Sequence, residues 1–295
     1  MGNWWQSDLF YSYRTNPVAV ISSVVFVVLG LAALFAPWIS PTNPFDAGSL
    51  NLMNGFTPPF SANQFTGDYF VLGTDDQGRD LVSAMLYGMR ISLMVGILAV
   101  GLAMVLGVTL GLVAGYRGGW VDAVVMRLAD VQLTFPSILI AMLVAGIARG
   151  LVPPDQREGM ATIILILSIG LSDWVQFART VRSSTLLEKE KEYVQAARVL
   201  GRSHLAIMFR HILPGIVSPV LVIATISLAL AIIAEATLSF LGVGAPPTEP
   251  SLGTLIRIAR TFCLPANGGF CCFQPSPFCS SHYRSICWVI GCVML

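Results

Sequence analysis

The chain has few residues that could carry out chemistry, and they are not arranged as an active site. ATP hydrolysis needs a glycine-rich loop followed by lysine, because backbone N–H groups and the lysine hold the phosphates. The only lysines, Lys189 and Lys191, do not follow glycine. The histidines, His204, His211 and His282, occur in no HExxH pattern, and no GxSxG nucleophile turn is present. The sequence therefore predicts neither an enzyme nor a bound cofactor.

Two carboxylates occur inside otherwise apolar stretches. Asp173 and Glu235 stand near the ends of the two stretches that contain them. A charged group is costly in lipid, so each must face other helices or a wet cavity, or lie at the level of the lipid headgroups. The headgroup level is the slightly favoured expectation for both residues.

The elements that carry these residues belong to a membrane protein. Of the 295 residues, 55% are apolar and only 11% are charged, against roughly 25% charged in soluble proteins. The formal net charge of +1, with no basic stripe interleaved with aromatic residues, excludes a nucleic-acid partner. Lipid is the partner that this composition predicts.

Five apolar stretches meet or approach the length of about 20 residues that a membrane-crossing helix needs. They predict an all-α, polytopic helical bundle, since an apolar segment that crosses lipid satisfies its backbone polar groups within a helix. Pro136 lies near the start of the third stretch, where it is harmless in a first turn but would kink a helix interior. A cleaved signal peptide ending around Ala33 to Ala36 is the alternative for the first stretch. The predicted spans are residues 18–39, 91–114, 131–147, 161–178 and 216–236.

The distribution of Lys and Arg predicts the orientation, because cytoplasmic loops carry an excess of these residues. Seven of the 17 Lys and Arg residues lie between the fourth and fifth spans, so this loop is predicted to be cytoplasmic. Counting the spans back from it places the N-terminal residues 1–17 in the cytoplasm as well. The long segment from Ser40 to Arg90 is then outside. The seven basic residues are Arg179, Arg182, Lys189, Lys191, Arg198, Arg202 and Arg210.

That cytoplasmic loop, residues 188–214, contains a motif of known type. The sequence EYVQAARVLG from Glu192 to Gly201 is followed, after nine residues, by His211-Ile212-Leu213-Pro214. It resembles the EAA loop of bacterial ATP-binding-cassette (ABC) importer permeases, although Gln195 replaces the first Glu and His211 replaces an Ile. The resemblance assigns contacts with an ATPase subunit to six residues. They are Glu192, Ala196, Ala197, Gly201, Leu213 and Pro214.

The residues of the loop suit a docking element. Residues 188–200 predict a short helix, Gly201 permits the left-handed turn that ends it, and small Ala side chains allow close approach. An amphipathic loop lying on the lipid headgroups is the alternative.

Two further motifs narrow the resemblance to the dipeptide, oligopeptide and nickel branch of these permeases. LGTDDQGRD, from Leu72 to Asp80, is similar to its LGTDxxGRD segment. LSFLGVG, from Leu238 to Gly244, with the prolines that follow, is similar to its FLGxGxxPP segment, with Leu252 in place of a Trp. The three motifs occur in the right order and the resemblance covers residues 18–258.

Each of the two further motifs has a structural and a functional interpretation. The first motif predicts a turn in which Thr74 and Asp75 are good capping residues. Its last residue, Asp80, can cap the helix that enters the second span. Substrate contact is the alternative. The second breaks a helix at the outer face, as a gate or as a plain loop. The residues of the first motif to which a role could attach are Gly73, Thr74, Asp75, Gly78, Arg79 and Asp80.

On the second span, Gly107, Gly111 and Gly115 recur every four residues. This spacing lets a neighbouring helix approach closely, so packing is the favoured role over substrate contact.

The resemblance implies a working assembly in the bacterial inner membrane. A second, homologous permease completes the pore, two ATP-binding subunits drive it, and a periplasmic solute-binding protein delivers the substrate. Peptides are the favoured substrate, with nickel or another small solute as the alternative. A secondary transporter is the rival class, but it would not need a loop that couples to an ATPase.

The C-terminal residues 259–295 differ from the rest. The family has a sixth span after Gly253, but the longest apolar run here, Ile286 to Leu295, has ten residues and cannot cross a bilayer as a helix. A frameshift is the favoured explanation, which would leave a truncated and inactive permease; a genuine tail is the alternative. All six cysteines lie here, in no paired CxxC pattern that predicts a metal site. They are Cys263, Cys271, Cys272, Cys279, Cys287 and Cys292.

Overall fold

The computed structural model describes residues 15–40, 43–44, 51–55, 57–63, 66–75, 77–246 and 250–263. They belong to two compact units that divide within one long helix, the first ending at Leu93 and the second beginning at Met94.

Most of the described residues are helical, in agreement with the predicted all-α class. The α-helices are α1 (Pro17–Leu34), α2 (Ala36–Ile39), α3 (Leu81–Arg117), α4 (Gly119–Leu133), α5 (Ser137–Leu151), α6 (Arg157–Glu188), α7 (Glu192–Val199), α8 (His204–Ala206), α9 (Leu213–Phe240) and α10 (Leu252–Cys263). Short 3₁₀ turns cover Leu52–Asn54 and Pro154–Gln156, and a π-helical turn, Ile207–Ile212, joins α8 to α9. Strands β1 (Ser61–Ala62) and β2 (Tyr69–Phe70) form an antiparallel pair.

Helix α1 shows how the sequence sets a boundary. The Asn16 side chain accepts hydrogen bonds from the backbone N–H groups of Val18 (3.1 Å) and Ala19 (3.4 Å), and Pro17 occupies the first turn. Proline is suited to this position because its missing N–H would have no helical partner there. The helix has 18 residues, which at 1.5 Å per residue gives about 27 Å.

Four helical segments are long and apolar enough to cross a membrane. Helices α4 and α5 are long and apolar enough to cross a membrane only when they are taken together, and the chain bends by 97° at the break between them. Among the described residues, the spans therefore number four, or five if the bent pair counts as one. The four segments are residues 17–34, 81–117, 154–188 and 204–240.

The third predicted span, residues 131–147, differs from the structure. Helix α4 ends at Leu133, and α5 begins at Ser137 with Pro136 as its N-cap. Proline cannot continue a helix because it lacks an N–H and clashes with the preceding turn, so it separates the helices.

Helix α10 occupies the position after Gly253 where a sixth span was expected. With 12 residues it extends about 18 Å, which is short of the roughly 30 Å hydrocarbon core. The remainder of the predicted atypical tail, after Cys263, lies outside the described residues.

In the second unit, α3 packs directly on α6 through the three regularly spaced glycines. A Cβ atom added at Gly107 would lie 2.5 Å from the Trp174 carbonyl oxygen, and one at Gly111 would lie 3.0 Å from the Val181 Cβ. The same addition at Gly115 would bring the atom to 2.8 Å from the Thr185 Cβ. The predicted packing role is confirmed, since these backbones lie closer together than any side chain would allow.

We expect Gly111→Ala to destabilise the protein, because the added methyl overlaps α6 and forces the two helices apart. Overpacking of this kind costs about 1–3 kcal/mol. The measurement is the melting temperature of the purified protein in detergent. Gly101→Ala on the same helix is the control, because nothing lies within 4 Å of the added atom. Equal melting temperatures for the two variants would contradict the close packing.

Candidate functional site

The loop between the last two spans folds as a helix-turn-helix. Helix α7 begins at Glu192, four residues after the predicted start, because α6 continues to Glu188. The chain turns at Gly201, which has the left-handed φ of +72° that glycine accepts without strain. The Ser203 hydroxyl then accepts a hydrogen bond from the Ala206 N–H (3.4 Å) and caps α8.

One side of the helix-turn-helix is buried and the other carries exposed apolar residues. Val194 and Ala197 are buried, as are Ile207 and Ile212 of the π-helical turn against which α7 packs. The exposed tip consists of Val199, Leu200 and Leu205, with exposed fractions of 88%, 79% and 67%. Three apolar side chains held this far into solvent on an ordered turn are suited to a protein partner.

The six predicted contact residues differ in their exposure to solvent. Ala197 faces the interior of the loop, whereas Glu192, Ala196 and Gly201 are exposed. Leu213 and Pro214 form the first turn of α9. The motif therefore combines an exposed surface with the packing that holds it in place.

A ring of polar contacts closes the base of the loop. Glu188, at the end of α6, forms an ion pair with Lys191 (2.8 Å) and accepts a hydrogen bond from the Tyr193 hydroxyl. The same hydroxyl also lies 3.3 Å from the His211 carbonyl oxygen. Burial and the adjacent Glu188 carboxylate raise the pKa of Tyr193 to about 12, so the phenol keeps its proton. The ring joins α6, α7 and the start of the last span.

Tyr116 joins helix α3 to both arms of the helix-turn-helix. Its hydroxyl lies 2.8 Å from Nδ1 of His204, and the Arg198 guanidinium carbon lies 5.4 Å from the centre of its ring. The second distance is within the range of a cation–π contact. Sequence reasoning missed Tyr116, Glu188 and Tyr193, because their partners are distant in the chain or lie outside the motif.

The described residues of the LGTDDQGRD segment form a compact, largely buried turn. The Asp75 carboxylate accepts from the backbone N–H groups of Gln77 (2.9 Å) and Arg79 (2.8 Å), and Gly78 has a φ of +76°. The Asp80 carboxylate accepts from the Ser83 N–H (2.9 Å) and caps α3, as the sequence predicts. Gly73, Thr74, Gly78, Arg79 and Asp80 are all buried. This geometry favours the structural interpretation.

The LSFLGVG segment ends α9 and is held by an arginine from another helix. The Arg149 guanidinium, in the last turn of α5, donates to the carbonyls of Val243 (2.6 Å) and Gly244 (2.8 Å), with that of Gly242 at 3.4 Å. These three carbonyls follow the end of α9 at Phe240 and belong to no helix, so the charged side chain supplies donors that no helix provides. We call these three contacts the Arg149 clamp.

Comparison with known proteins shows relatives over most of the chain. A family described as the binding-protein-dependent transport system inner membrane component matches residues 107–271. The N-terminal TM domain of oligopeptide transport permease C matches residues 3–59. The oligopeptide transport system permease protein OppC of Bacillus subtilis is 36% identical over 84% of this chain and 75% of its own length.

This chain belongs to the binding-protein-dependent transport permeases. The dipeptide transport system permease protein DppC of Haemophilus influenzae is 34% identical over 88% of this chain and 83% of its own length. The glutathione transport system permease protein GsiD of Pectobacterium atrosepticum is 38% identical over 86% and 78%. The resemblance found in the sequence motifs is confirmed, and the protein is a multi-pass membrane permease subunit of an ABC importer.

The two intramembrane carboxylates of the permease have different surroundings. Glu235 is fully buried and accepts a hydrogen bond from the Ser239 hydroxyl (2.7 Å), so it faces the helix bundle. Asp173 is half-buried on α6, and it accepts a hydrogen bond from the hydroxyl of the adjacent Ser172 at 3.4 Å.

We expect Arg149→Gln to lower the melting temperature of the permease, because three backbone carbonyls at the end of α9 lose their donor. Hydrogen bonds that involve a charged group contribute roughly 1.5–3 kcal/mol each, and the half-buried position favours the lower end. Arg157→Gln is the matched control, since Arg157 is exposed and its guanidinium donates to the nearby Val152 carbonyl (3.1 Å). An equal change in both variants would contradict a specific role of the clamp.

Proposed function

We propose that this permease imports peptides across the bacterial inner membrane, driven by ATP that partner subunits bind and hydrolyse. It works with a second, homologous permease, two ATP-binding subunits and a periplasmic binding protein. The observation that carries the proposal is the helix-turn-helix with its exposed apolar tip, because its base is joined to helices that cross the membrane. A secondary transporter has no use for such an element.

The orientation follows from charge. The seven basic residues from Arg179 to Arg210 lie on the end of α6, on α7, in the π-helical turn and in the residues that connect these elements. An excess of basic residues belongs on the cytoplasmic side, which is also where ATP is available. With this loop inside, the N-terminus is cytoplasmic and the LGTDDQGRD segment is periplasmic.

The contacts at the base of the loop give a route for coupling. When an ATPase subunit moves the tip, α7 and the turn move as one body, because Val194 and Ala197 are packed inside it. The displacement reaches α6 through Glu188, α3 through Tyr116 and α9 through the π-helical turn. Rigid-body movement of this kind can change the access to a path between helices.

The relatives support peptides as the substrate class. Their names specify oligopeptides, dipeptides and glutathione, which all contain peptide bonds. No observation on this chain favours nickel.

The proposal is tested by ATP-dependent uptake of a labelled peptide in proteoliposomes that hold the complete importer. We expect uptake that requires ATP, the binding protein and this chain together. An importer whose ATPase carries a substituted phosphate-binding lysine is the control and should give none. Uptake that follows an ion gradient in the absence of ATP would contradict the proposal.

We expect Leu200→Asp to weaken binding of the ATPase, because the change places an unpaired charge at the centre of an apolar contact. A residue of this kind typically contributes about 2 kcal/mol or more, so the retained ATPase should fall by about tenfold or more. Co-purification of the ATPase from detergent measures the effect. Leu52→Asp is the matched control, since Leu52 is equally exposed at 76% but lies in the predicted periplasmic segment. Unchanged retention by Leu200→Asp would contradict docking at the tip.

We expect Tyr116→Ala to reduce peptide uptake by about tenfold while the ATPase stays bound, because the link between α3 and the loop is lost. Tyr116→Phe keeps the ring beneath Arg198 and should retain much of the activity, since a cation–π contact contributes about 0.5–1 kcal/mol at an exposed site. Uptake and co-purification are measured on the same samples. Full uptake by the Ala variant would contradict this route.

A further inference from the structure

Helix α4 has an inverted arrangement of polar and apolar side chains. Its inward side carries Asp122 and Gln132, which bond to α6, and the fully buried Ala129. The opposite side carries apolar residues at spacings of four, four and three positions, which fall on one face of a helix. A surface helix in water has its charged face outward, so this apolar face is not suited to water. We call this face the α4 stripe; it consists of Trp120, Val124, Leu128 and Val131, with exposed fractions of 80%, 37%, 60% and 55%.

Two ion pairs hold α4 at the charged end of α6. The Arg182 guanidinium donates to both carboxylate oxygens of Asp122, one of these bonds measuring 2.6 Å, and Arg179 pairs with Asp130. These two arginines are the first basic residues after the apolar stretch 161–178 of α6. Basic residues that flank an apolar span lie where the hydrocarbon core meets the lipid headgroups. The ion pairs therefore place α4 at that boundary.

The two ends of α4 lie at different depths. Near its C-terminal end, Gln132 donates to the backbone carbonyls of Leu171 and Ser172, and Ser172 is about 15 Å of helix rise from Arg182. The N-terminal end is therefore nearest to the headgroups, and the C-terminal end slopes toward the core. The 97° bend that follows shows that α4 does not continue the direction of α5. Helix α4 thus lies along the membrane boundary and is not the first half of a straight span.

The outward side of α4 has a positive charge. Both acidic residues of the helix, Asp122 and Asp130, are paired with arginines of α6. Arg127 is exposed on the side of the stripe, three positions after Val124. Arg117, the last residue of α3, is also exposed, and neither arginine belongs to an ion pair found among the described residues. An anionic surface is the complement of this charge.

We propose that the α4 stripe lies in the headgroup region of the membrane, and that Arg117 and Arg127 bind the phosphates of anionic phospholipids. Tryptophan is suited to this level because its ring is amphipathic, and Trp120 stands at the end of the helix nearest to the headgroups. Anionic lipids are abundant in the cytoplasmic leaflet, where juxtamembrane basic residues are attracted to them. Only the assignment to that leaflet rests on the proposed function, through its orientation.

A protein partner fits the α4 stripe less well than lipid does. The core of a protein interface is depleted of charged residues, because a buried cation without a partner is costly. Arg127 lies within the stripe and would be buried by a protein that covered it. At the headgroup level, the same side chain extends its apolar stem along the stripe and keeps its guanidinium among the phosphates.

Quenching of a fluorophore by brominated lipids tests the proposal. The complete importer carries Leu128→Cys labelled with bimane, and the six native cysteines are changed to serine so that only residue 128 reacts. The vesicles contain equal amounts of phosphatidylglycerol and phosphatidylcholine, one of which is brominated. We expect both lipids to quench, and brominated phosphatidylglycerol about fivefold more, because an arginine near the surface favours an anionic lipid by about this factor.

Substitution of the arginines tests the charge. Arg127→Gln together with Arg117→Gln should bring the quenching by the two lipids close to equality. Arg157→Gln is the matched control, because it removes the same charge about 33 Å of helix rise from Arg179 on α6. This variant should leave the fivefold preference unchanged.

The position of the bromine tests the depth. Bromine near the headgroup should quench a label at residue 128 more than bromine near the end of the acyl chain. A label at Ile226→Cys is the reference for the core and should show the opposite order. Ile226 is suited to this use because it is 57% exposed in the middle of the predicted fifth span.

Three results would overturn the inference. Absence of quenching by either lipid would mean that water or a protein covers the α4 stripe. Stronger quenching of residue 128 by the deeper bromine would place α4 in the hydrocarbon core. A preference for phosphatidylglycerol that survives loss of both arginines would remove their role. None of these measurements requires ATP or a peptide, so failure of the proposed import is distinguishable from failure of this inference.

Discussion

The constraint on which the rest of this structure depends is that a backbone in lipid must satisfy its own polar groups. It favours the helical conformation that most of the described residues adopt. Helices α3, α6 and α9 are each long enough to cross the roughly 30 Å hydrocarbon core. Departures from the rule are therefore informative. After α9, the Arg149 clamp supplies donors to the backbone carbonyls. Beside the break between α4 and α5, the Gln132 side chain donates to the carbonyls of Leu171 and Ser172 and so holds α4 against α6.

The second requirement is rigid transmission between the loop and the spans. The glycines of α3 bring its backbone against α6, and a close-packed interface of this kind moves as a unit because it has no room to deform. At the loop, Glu188, Tyr193 and Tyr116 join the helix-turn-helix to three different spans. A displacement at the exposed tip is therefore transmitted to the bundle, whereas a flexible loop would not transmit it.

The bundle also accommodates polar side chains within its long apolar helices. Apolar side chains cover the surfaces of the spans, and a buried group such as Glu235 is satisfied by a neighbour on its own helix. Asp173 on α6 is only half-buried, and the hydroxyl of the adjacent Ser172 lies 3.4 Å from its carboxylate. The two carboxylates therefore differ in burial although both lie on long helices.

The sequence alone determined the class of the protein and the family, because apolar run length and local motifs are properties of neighbouring residues. It also determined the cap formed by Asp80 and the turn at Gly201, where one residue type fits one backbone geometry. Only the tertiary structure decided that the third segment bends at Pro136, which of the two carboxylates is buried, and that Tyr116, Glu188 and Arg149 hold the loops. The contacts of Tyr116 and Arg149 join segments that are far apart in the chain, and the angle of a bend depends on what packs beside it, which the order of residues does not specify.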